Sequence, residues 1–189
     1  NQPLPFVITL FLMISLGSGC ADQEVLSSDS STFKLSSSRL RSNLLKLQER
    51  AALKGIYQII PIAGVANAET GLAHCWSDAR WACQGPSSSS CGGGPVIAGA
   101  GDGACWRRQG GLGMFQLDGG TYDQTLDREG NRVLTLAGNI DAGISFIIEM
   151  VRYAKRLNSE KEAIDWINGI SIGSSRYNDW IDIVVQYYN

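Results

Sequence analysis

The stretch of sequence that decides the fold is residues 59–72, which read IIPIAGVANAETGL. Apolar residues occupy nearly every position up to Ala68. Pro61 suits the first turn of a helix, where its missing N–H has no partner to lose, and Gly71 suits the position just after a helix end. The pattern predicts a helix that is apolar nearly all round and therefore belongs in the core.

Apolar residues recur at helical spacing on both sides of this stretch. From about Arg39 they mark an amphipathic helix whose apolar face comprises Leu40, Leu44, Leu47 and Ala51. We assign Asn139 as the cap of a later helix. The apolar residues of that helix are Ile140, Ile144, Ile147, Ile148 and Val151.

Two further helices are predicted near the end of the chain. Ser159 and Glu162 have the spacing of a capping box ahead of Ala163. The last helix carries an apolar stripe formed by Tyr177, Ile181, Val184, Val185 and Tyr188. Because no run of alternating strand residues is evident, the predicted class is mainly α with a long irregular middle from residue 71 to 120.

Composition limits the chemistry of the protein. The chain has 189 residues, with 16 Lys and Arg, 18 Asp and Glu, and a formal net charge of -2 at pH 7. It offers no basic field to a polyanion, so nucleic-acid binding is a poor hypothesis. His74 is the only histidine, which excludes a multi-histidine zinc site, and we expect no metal and no cofactor. Catalysis by carboxylate groups is the class of chemistry that remains. The length of the chain fits one folded domain.

Residues 1–20 have the pattern of a signal peptide. Residues 6–16 form an apolar run that is too short to span a bilayer as a helix. The small residues that follow lead to Cys20, and this end resembles the lipobox of bacterial lipoproteins, in which the cysteine is lipidated. The alternative is an ordinary secretory peptide cut near the same glycines. Because no positively charged start precedes the run, we expect a clipped N-terminus.

Residues 21–38 are polar and rich in serine, with few large apolar side chains. We expect a disordered tether there, because such a segment cannot offset the entropy of ordering. A lipid on Cys20 would be the only contact with a membrane. The predicted location is that of an exported bacterial protein, either a periplasmic or outer-membrane lipoprotein or a secreted protein.

The irregular middle contains four cysteines, namely Cys75, Cys83, Cys91 and Cys105. Their spacing offers no two close pairs of the kind that zinc ribbons and fingers need. In an exported chain we expect two disulfides, and all three possible pairings remain open. We expect the tryptophans of this region to form a small local core rather than a sugar platform. These are Trp76, Trp81 and Trp106.

Glu69 is the most informative single residue. It stands at the C-terminal end of the most apolar predicted helix. Desolvation and the negative end of the helix dipole both raise the pKa of a carboxyl group in that position. A carboxyl group that is protonated at neutral pH suits general acid catalysis of glycoside cleavage. A surface Glu at a helix end is the alternative interpretation.

Three segments, in the same order, resemble a known superfamily. Glu69-Thr70-Gly71 looks like the Glu-Ser-Gly motif of soluble lytic transglycosylases and goose-type lysozymes. Residues 113–118, which read GMFQLD, are similar to their Gly-Leu-Met-Gln segment and the Asp that follows it in goose-type enzymes. Residues 139–143, which read NIDAG, resemble the Asn-Ile-x-x-Gly helix of the transglycosylases. The resemblance covers residues 56–189, with Thr70 in place of Ser and Phe115 in place of Met.

The resemblance implies a lysozyme-like, mainly α domain over residues 39–189, whose cleft binds peptidoglycan glycan strands. In that family Glu69 would be the acid and base, Met114 and Gln116 would line the sugar groove, and the cysteine-bearing insertion would form one wall. Asp102 and Asp118 match the positions of two further goose-type carboxylates. Either could hold a water for hydrolysis, and turn-forming Asp beside Gly is the alternative for both.

The family also uses a Tyr-Asn pair late in the chain, close to the catalytic Glu. Tyr188-Asn189 and Asn168-Gly169 are the two candidates. We prefer Tyr188 and therefore expect a longer natural C-terminus. The implied activity is that of a lytic transglycosylase that cleaves between N-acetylmuramic acid and N-acetylglucosamine, acting as a monomer. The alternatives are a goose-type-like muramidase and a non-catalytic peptidoglycan-binding lipoprotein.

Overall fold

The computed structural model describes residues 36–99, 104–105 and 108–188. The predicted signal peptide, Cys20, Asp102 and Trp106 lie outside the described residues, as does the predicted tether up to residue 35. The helices are α1 (Ser37–Leu53), α2 (Ile59–Thr70), α3 (Tyr122–Glu129), α4 (Leu136–Ala154), α5 (Glu160–Asn168) and α6 (Ser175–Tyr187). The strands are β1 (Cys83–Ser87) and β2 (Pro95–Ala98). The fold is mainly helical, as predicted.

Helix α4 is the centre of the core, because α1, α5 and α6 all pack against it. One of its faces is completely or almost completely buried, and the residues on that face include Ile140, Ile144, Ile147 and Val151. Arg50 of α1 binds Asp141 of α4 through both oxygens of the carboxylate. This bidentate ion pair fixes the first helix against the central one.

Helix α2 has the predicted bounds but a different environment. Pro61 is buried in its first turn, and Gly71 ends it with a positive φ of 63°. The helix buries Ile62, Val65 and Ala66, whereas Ile60 is exposed. The prediction of an all-round buried helix is therefore wrong: α2 lies at the edge of the core with one face in solvent.

The helix termini correct three local predictions. Helix α1 begins at Ser37, so the last two residues of the predicted tether are helical. Asn139 is not the cap of α4, because Thr135 is the N-cap and accepts the N–H of Gly138. Ser159 caps α5 as expected, but the Glu162 carboxylate accepts the N–H of Asn158 rather than that of Ser159.

The apolar stripe predicted for α6 is also only partly right. Its buried residues are Trp180 and Ile183, whereas Ile181 and Val185 are exposed. Tyr177 and Val184 of the predicted stripe also pack against the core, so the prediction is wrong only for the two exposed residues. Tyr188 nevertheless turns inward, since it follows the helix as its C-cap and packs against the core.

The irregular middle contains structure that the sequence pattern did not predict. Strands β1 and β2 pair antiparallel, with Cys83 opposite Ala98. Helix α3, which follows this region, begins with a complete capping box between Thr121 and Gln124. No helix among the described residues is both long enough and apolar enough to cross a membrane.

Candidate functional site

Glu69 is the penultimate residue of α2 and is partly buried. Its neighbour Thr70 is buried, and the Thr70 hydroxyl has three backbone carbonyls within reach. They are those of Ala73 at 2.8 Å, Met114 at 3.0 Å and Ala66 at 3.3 Å. The hydroxyl group therefore connects the end of α2 to the segment that contains Met114.

That segment is a tight turn, here called the 112–117 turn. Leu112 and Leu117 exchange backbone hydrogen bonds, and the Gln116 N–H donates to the Gly113 carbonyl. Two of its residues, Gly113 and Gln116, have positive φ values of 67° and 45°. A side chain at position 113 would meet the Asn139 amide within 2.5 Å, so the glycine is required by both conformation and space.

Asn139, inside α4, holds this turn from the other side. Its side-chain oxygen accepts the Phe115 N–H at 3.0 Å, and its amide nitrogen donates to the carbonyls of Leu112 at 2.9 Å and Val133 at 3.2 Å. One turn further along, Gly143 leaves room for the Phe115 ring, which a Cβ atom would approach to 2.3 Å. Asn139 and Gly143 therefore both contact the 112–117 turn.

Tyr188 completes the enclosure of the turn. Its phenol hydroxyl donates to the Phe115 carbonyl at 2.7 Å. Burial, and secondarily the negative charge of Glu69, raise the pKa of Tyr188 well above its ordinary value of 10. The phenol therefore remains a neutral hydrogen-bond donor, and it lies within electrostatic reach of the Glu69 carboxylate.

Asn168, the other candidate for the late motif, lies at the opposite end of α2. Its side-chain oxygen accepts the N–H groups of Tyr57 and Gln58, and its amide donates to the Gly55 carbonyl. These bonds cap the start of α2, whose N-cap residue Gln58 makes no capping bond of its own. Of the two candidates, Tyr188 is the one that interacts with Glu69.

The remaining predicted site residues have different environments. Met114 is completely buried, so a position facing a sugar groove is excluded for its side chain. Gln116 is partly buried, and its amide donates to the Gly113 carbonyl at 2.7 Å. Asp118 is exposed, and its carboxylate accepts the Gly120 N–H at 2.6 Å, which is the turn-forming role.

Two disulfides organise the middle of the chain, with the pairing Cys75–Cys91 and Cys83–Cys105. Cys83 lies in β1, which pairs with β2, and the Ile97 carbonyl of β2 accepts the N–H of Gly113 at 2.9 Å. The insertion is therefore attached to the 112–117 turn. The disulfides indicate an exported or extracellular protein.

The two described tryptophans of the insertion differ in exposure, and only one of them fits the predicted local core. Trp76 is partly buried and donates to the Ala82 carbonyl at 2.9 Å, in agreement with a small local core. Trp81, in contrast, is 55% exposed. Trp76 therefore acts structurally, and the ring of Trp81 is open to solvent.

His74 is a component of the site region that the sequence pattern did not indicate. It is buried beside Gly113, its Nε2 atom bonds the Leu134 carbonyl at 3.0 Å, and its Nδ1 atom has no hydrogen-bond partner. Burial lowers its pKa to about 4. In the sequence, His74 stands out only because it is the sole histidine. That fact does not predict its burial.

Within the described ranges, no cluster of three or more His, Cys, Asp or Glu side chains is arranged to hold a metal ion. Comparisons of the chain with protein-family models, with curated proteins and with solved structures gave no match.

Proposed function

We propose that this protein cleaves peptidoglycan as a lytic transglycosylase, with Glu69 as its single catalytic acid and base. The scissile bond is the β-1,4 bond between N-acetylmuramic acid and N-acetylglucosamine. The proposal depends on one observation: segments far apart in the sequence, chosen for their resemblance to family motifs, contact the same turn. Thr70, Asn139, Gly143 and Tyr188 all contact the 112–117 turn. This common contact supports the proposal.

The chemistry requires one carboxyl group that changes roles. Protonated Glu69 donates its proton to the glycosidic oxygen as the bond from that oxygen to the muramic C1 breaks. The resulting carboxylate then accepts the proton of the muramic C6 hydroxyl, whose oxygen bonds to C1 and closes a 1,6-anhydro ring. No water and no second carboxylate take part. The neutral phenol of Tyr188 lies within electrostatic reach of this group.

The hydrolytic alternative needs a carboxylate that holds a water opposite Glu69. Asp118 is exposed and bonded within its own turn, which favours a structural role for it. Among the described residues, transglycosylation is therefore the better supported reaction, and the other candidate, Asp102, lies outside them. The setting that we propose is the periplasmic side of a bacterial membrane, to which a lipid on Cys20 would attach the protein.

Clearing of a suspension of purified cell walls tests the activity. The intact protein should lower the turbidity, and Glu69→Gln should lower the rate by at least about 100-fold, the usual contribution of a positioned general acid. Glu49→Gln, which alters an exposed carboxylate paired with Lys46, is the matched control and should retain the full rate. Equal, negligible clearing by the intact protein and by Glu69→Gln would favour a non-catalytic binding protein.

Mass spectrometry of the released glycans separates the two reactions. An anhydro product is lighter by one water than the hydrolytic product, because no water is added. A hydrated reducing end in every fragment would refute transglycosylation and support a muramidase.

A further inference from the structure

A groove of about 760 Å³ lies between the C-terminal half of α4 and the end of α6. Its apolar wall is formed by Phe146, Met150, Tyr153, Leu157 and Tyr187. The Tyr153 side chain is 75% exposed, and that of Phe146 is 44% exposed. Large aromatic side chains that remain open beside a concave surface are typical of ligand-binding sites.

The rings of this groove are held in place before any ligand binds. Tyr153 and Tyr187 meet edge to face, with their ring centroids 5.7 Å apart. Phe146 meets Tyr188 in the same manner at 5.4 Å. Such ring pairs are mutually stabilising, so the aromatic faces are preorganised. Sugar rings present flat C–H faces that pack well on surfaces of this kind.

The charges at the groove favour an anionic ligand. The Arg152 guanidinium donates two hydrogen bonds to the Glu149 carboxylate, so these two charges compensate each other. Arg156 is exposed and forms no ion pair with any residue in the described part of the chain. Its backbone N–H donates to the Tyr153 carbonyl, and both residues line the groove. One uncompensated guanidinium is suited to bind a carboxylate.

We propose that this α4–α6 groove binds the acidic, N-acetylated sugar units of the wall glycan, namely N-acetylmuramic acid. The sugar ring packs on Tyr153 and Tyr187, and Arg156 binds the carboxylate of the lactyl branch. The inference rests on the proposed function, because the ligand is part of the same substrate. The Phe146 ring lines the groove and also meets the ring of Tyr188, whose hydroxyl is bonded to the 112–117 turn.

Titration of the ¹⁵N-labelled full chain with two monosaccharides tests the inference by nuclear magnetic resonance. N-acetylmuramic acid and N-acetylglucosamine differ by the 3-O-lactyl ether, which carries the carboxylate, and neither contains a bond that the enzyme can cleave. We expect N-acetylmuramic acid to shift the amide signals of residues 146–157 and 187. N-acetylglucosamine should bind about tenfold more weakly, because it lacks the group that pairs with Arg156.

Four variants make the test specific. Arg156→Gln should weaken the binding of N-acetylmuramic acid about tenfold, and Tyr153→Ala should weaken it about fivefold. Arg41→Gln and Tyr57→Ala are the matched controls, because these residues are also exposed, Tyr57 at 78%. Both controls should bind as the unaltered protein does.

Glu149→Gln should raise the affinity for N-acetylmuramic acid, whereas the two substitutions above lower it. Loss of that carboxylate releases Arg152 to bind the ligand, and the affinity should rise about threefold. A merely structural role for the Glu149–Arg152 pair would not produce tighter binding. Unchanged or weaker binding by Glu149→Gln would contradict the electrostatic part of the inference.

The outcomes separate this inference from the proposed function. Shifts confined to residues near Glu69 and the 112–117 turn would overturn the groove as a binding site and leave the cleavage proposal intact. Absence of shifts throughout the protein would likewise overturn it. Wall clearing is measured independently, so inactive protein that still binds N-acetylmuramic acid in the groove would refute the cleavage proposal alone.

Discussion

We expect the stability of this protein to fall between pH 6.5 and pH 4 because of one side chain, His74. The imidazole is 2% exposed, and its Nε2 atom is bonded to the Leu134 carbonyl. The Nδ1 atom is buried without a hydrogen-bond partner. A second proton on this ring would create a buried cation with no counter-charge, so the folded protein resists protonation.

The size of the effect follows from the two pKa values. Burial lowers the pKa of His74 from its ordinary 6.5 to about 4 in the folded protein. Above pH 6.5 the ring is neutral in both the folded and the unfolded state, and its contribution to stability is complete. As the pH falls below 6.5 the unfolded chain binds the proton first, and the contribution is lost by about pH 4. One pKa unit corresponds to about 1.36 kcal/mol, so the full loss is about 3 kcal/mol.

Urea unfolding at several pH values measures this loss. The free energy of unfolding should fall by about 3 kcal/mol more in the unaltered protein than in His74→Gln between pH 7.5 and pH 4. The carboxylates contribute alike to both proteins, so the difference isolates the imidazole. Because His74 is the only histidine, its proton resonances report its pKa without assignment. Titration of the folded protein near pH 6.5, or parallel stability curves, would refute the reasoning.

Three further substitutions probe the packing around the site. Asn139→Ala removes three hydrogen bonds to backbone groups, namely the Phe115 N–H and the carbonyls of Leu112 and Val133, and should lower the free energy of unfolding by about 3 kcal/mol in urea. Gly143→Ala forces a methyl group against an aromatic ring and should cost about 2 kcal/mol in the same assay, whereas Gly64→Ala, in open space on α2, should stabilise by up to about 1 kcal/mol. Loss of the Cys75–Cys91 disulfide, in the double variant C75S/C91S, should cost about 3 kcal/mol, measured by thermal unfolding.

Each of these predictions has a control. Asn178→Ala removes an exposed asparagine of α6 and should leave the free energy of unfolding within about 0.5 kcal/mol of the original. A similar small effect of Asn139→Ala would mean that its three bonds do not support the turn. Equal effects of alanine at positions 64 and 143 would contradict the steric argument. A reducing agent should destabilise the unaltered protein more than C75S/C91S.

The sequence predicted those features that short-range chemistry controls. The end of α2 at Gly71 follows from a glycine that adopts a positive φ, and the start of α5 follows from the Ser159 cap. The presence of disulfides follows from the cysteines and from an exported chain. The pairing of those cysteines did not follow, because three arrangements satisfy the same spacing and only the packed β1–β2 hairpin selects one.

The sequence failed where long-range contacts decide the structure. Strand β1 reads CQGPS and carries none of the residues that favour strands, so its pairing with β2 depends on the disulfides and the surrounding chain. The role of Asn139 was mistaken for the same reason. Its position before an apolar run suggests a cap, whereas its side chain is used by a turn that lies more than twenty residues earlier in the chain.

The candidate site and the stability of the fold are linked through the 112–117 turn. The turn has strained backbone at Gln116, and its polar groups are held by side chains from α2, α4 and α6. Substitutions of those side chains should therefore reduce stability and wall clearing together. Glu69→Gln should lower clearing by at least about 100-fold, because it removes the carboxyl proton while it preserves the size of the side chain. Retention of clearing by Glu69→Gln would refute Glu69 as the catalytic acid, whatever the stability of that variant.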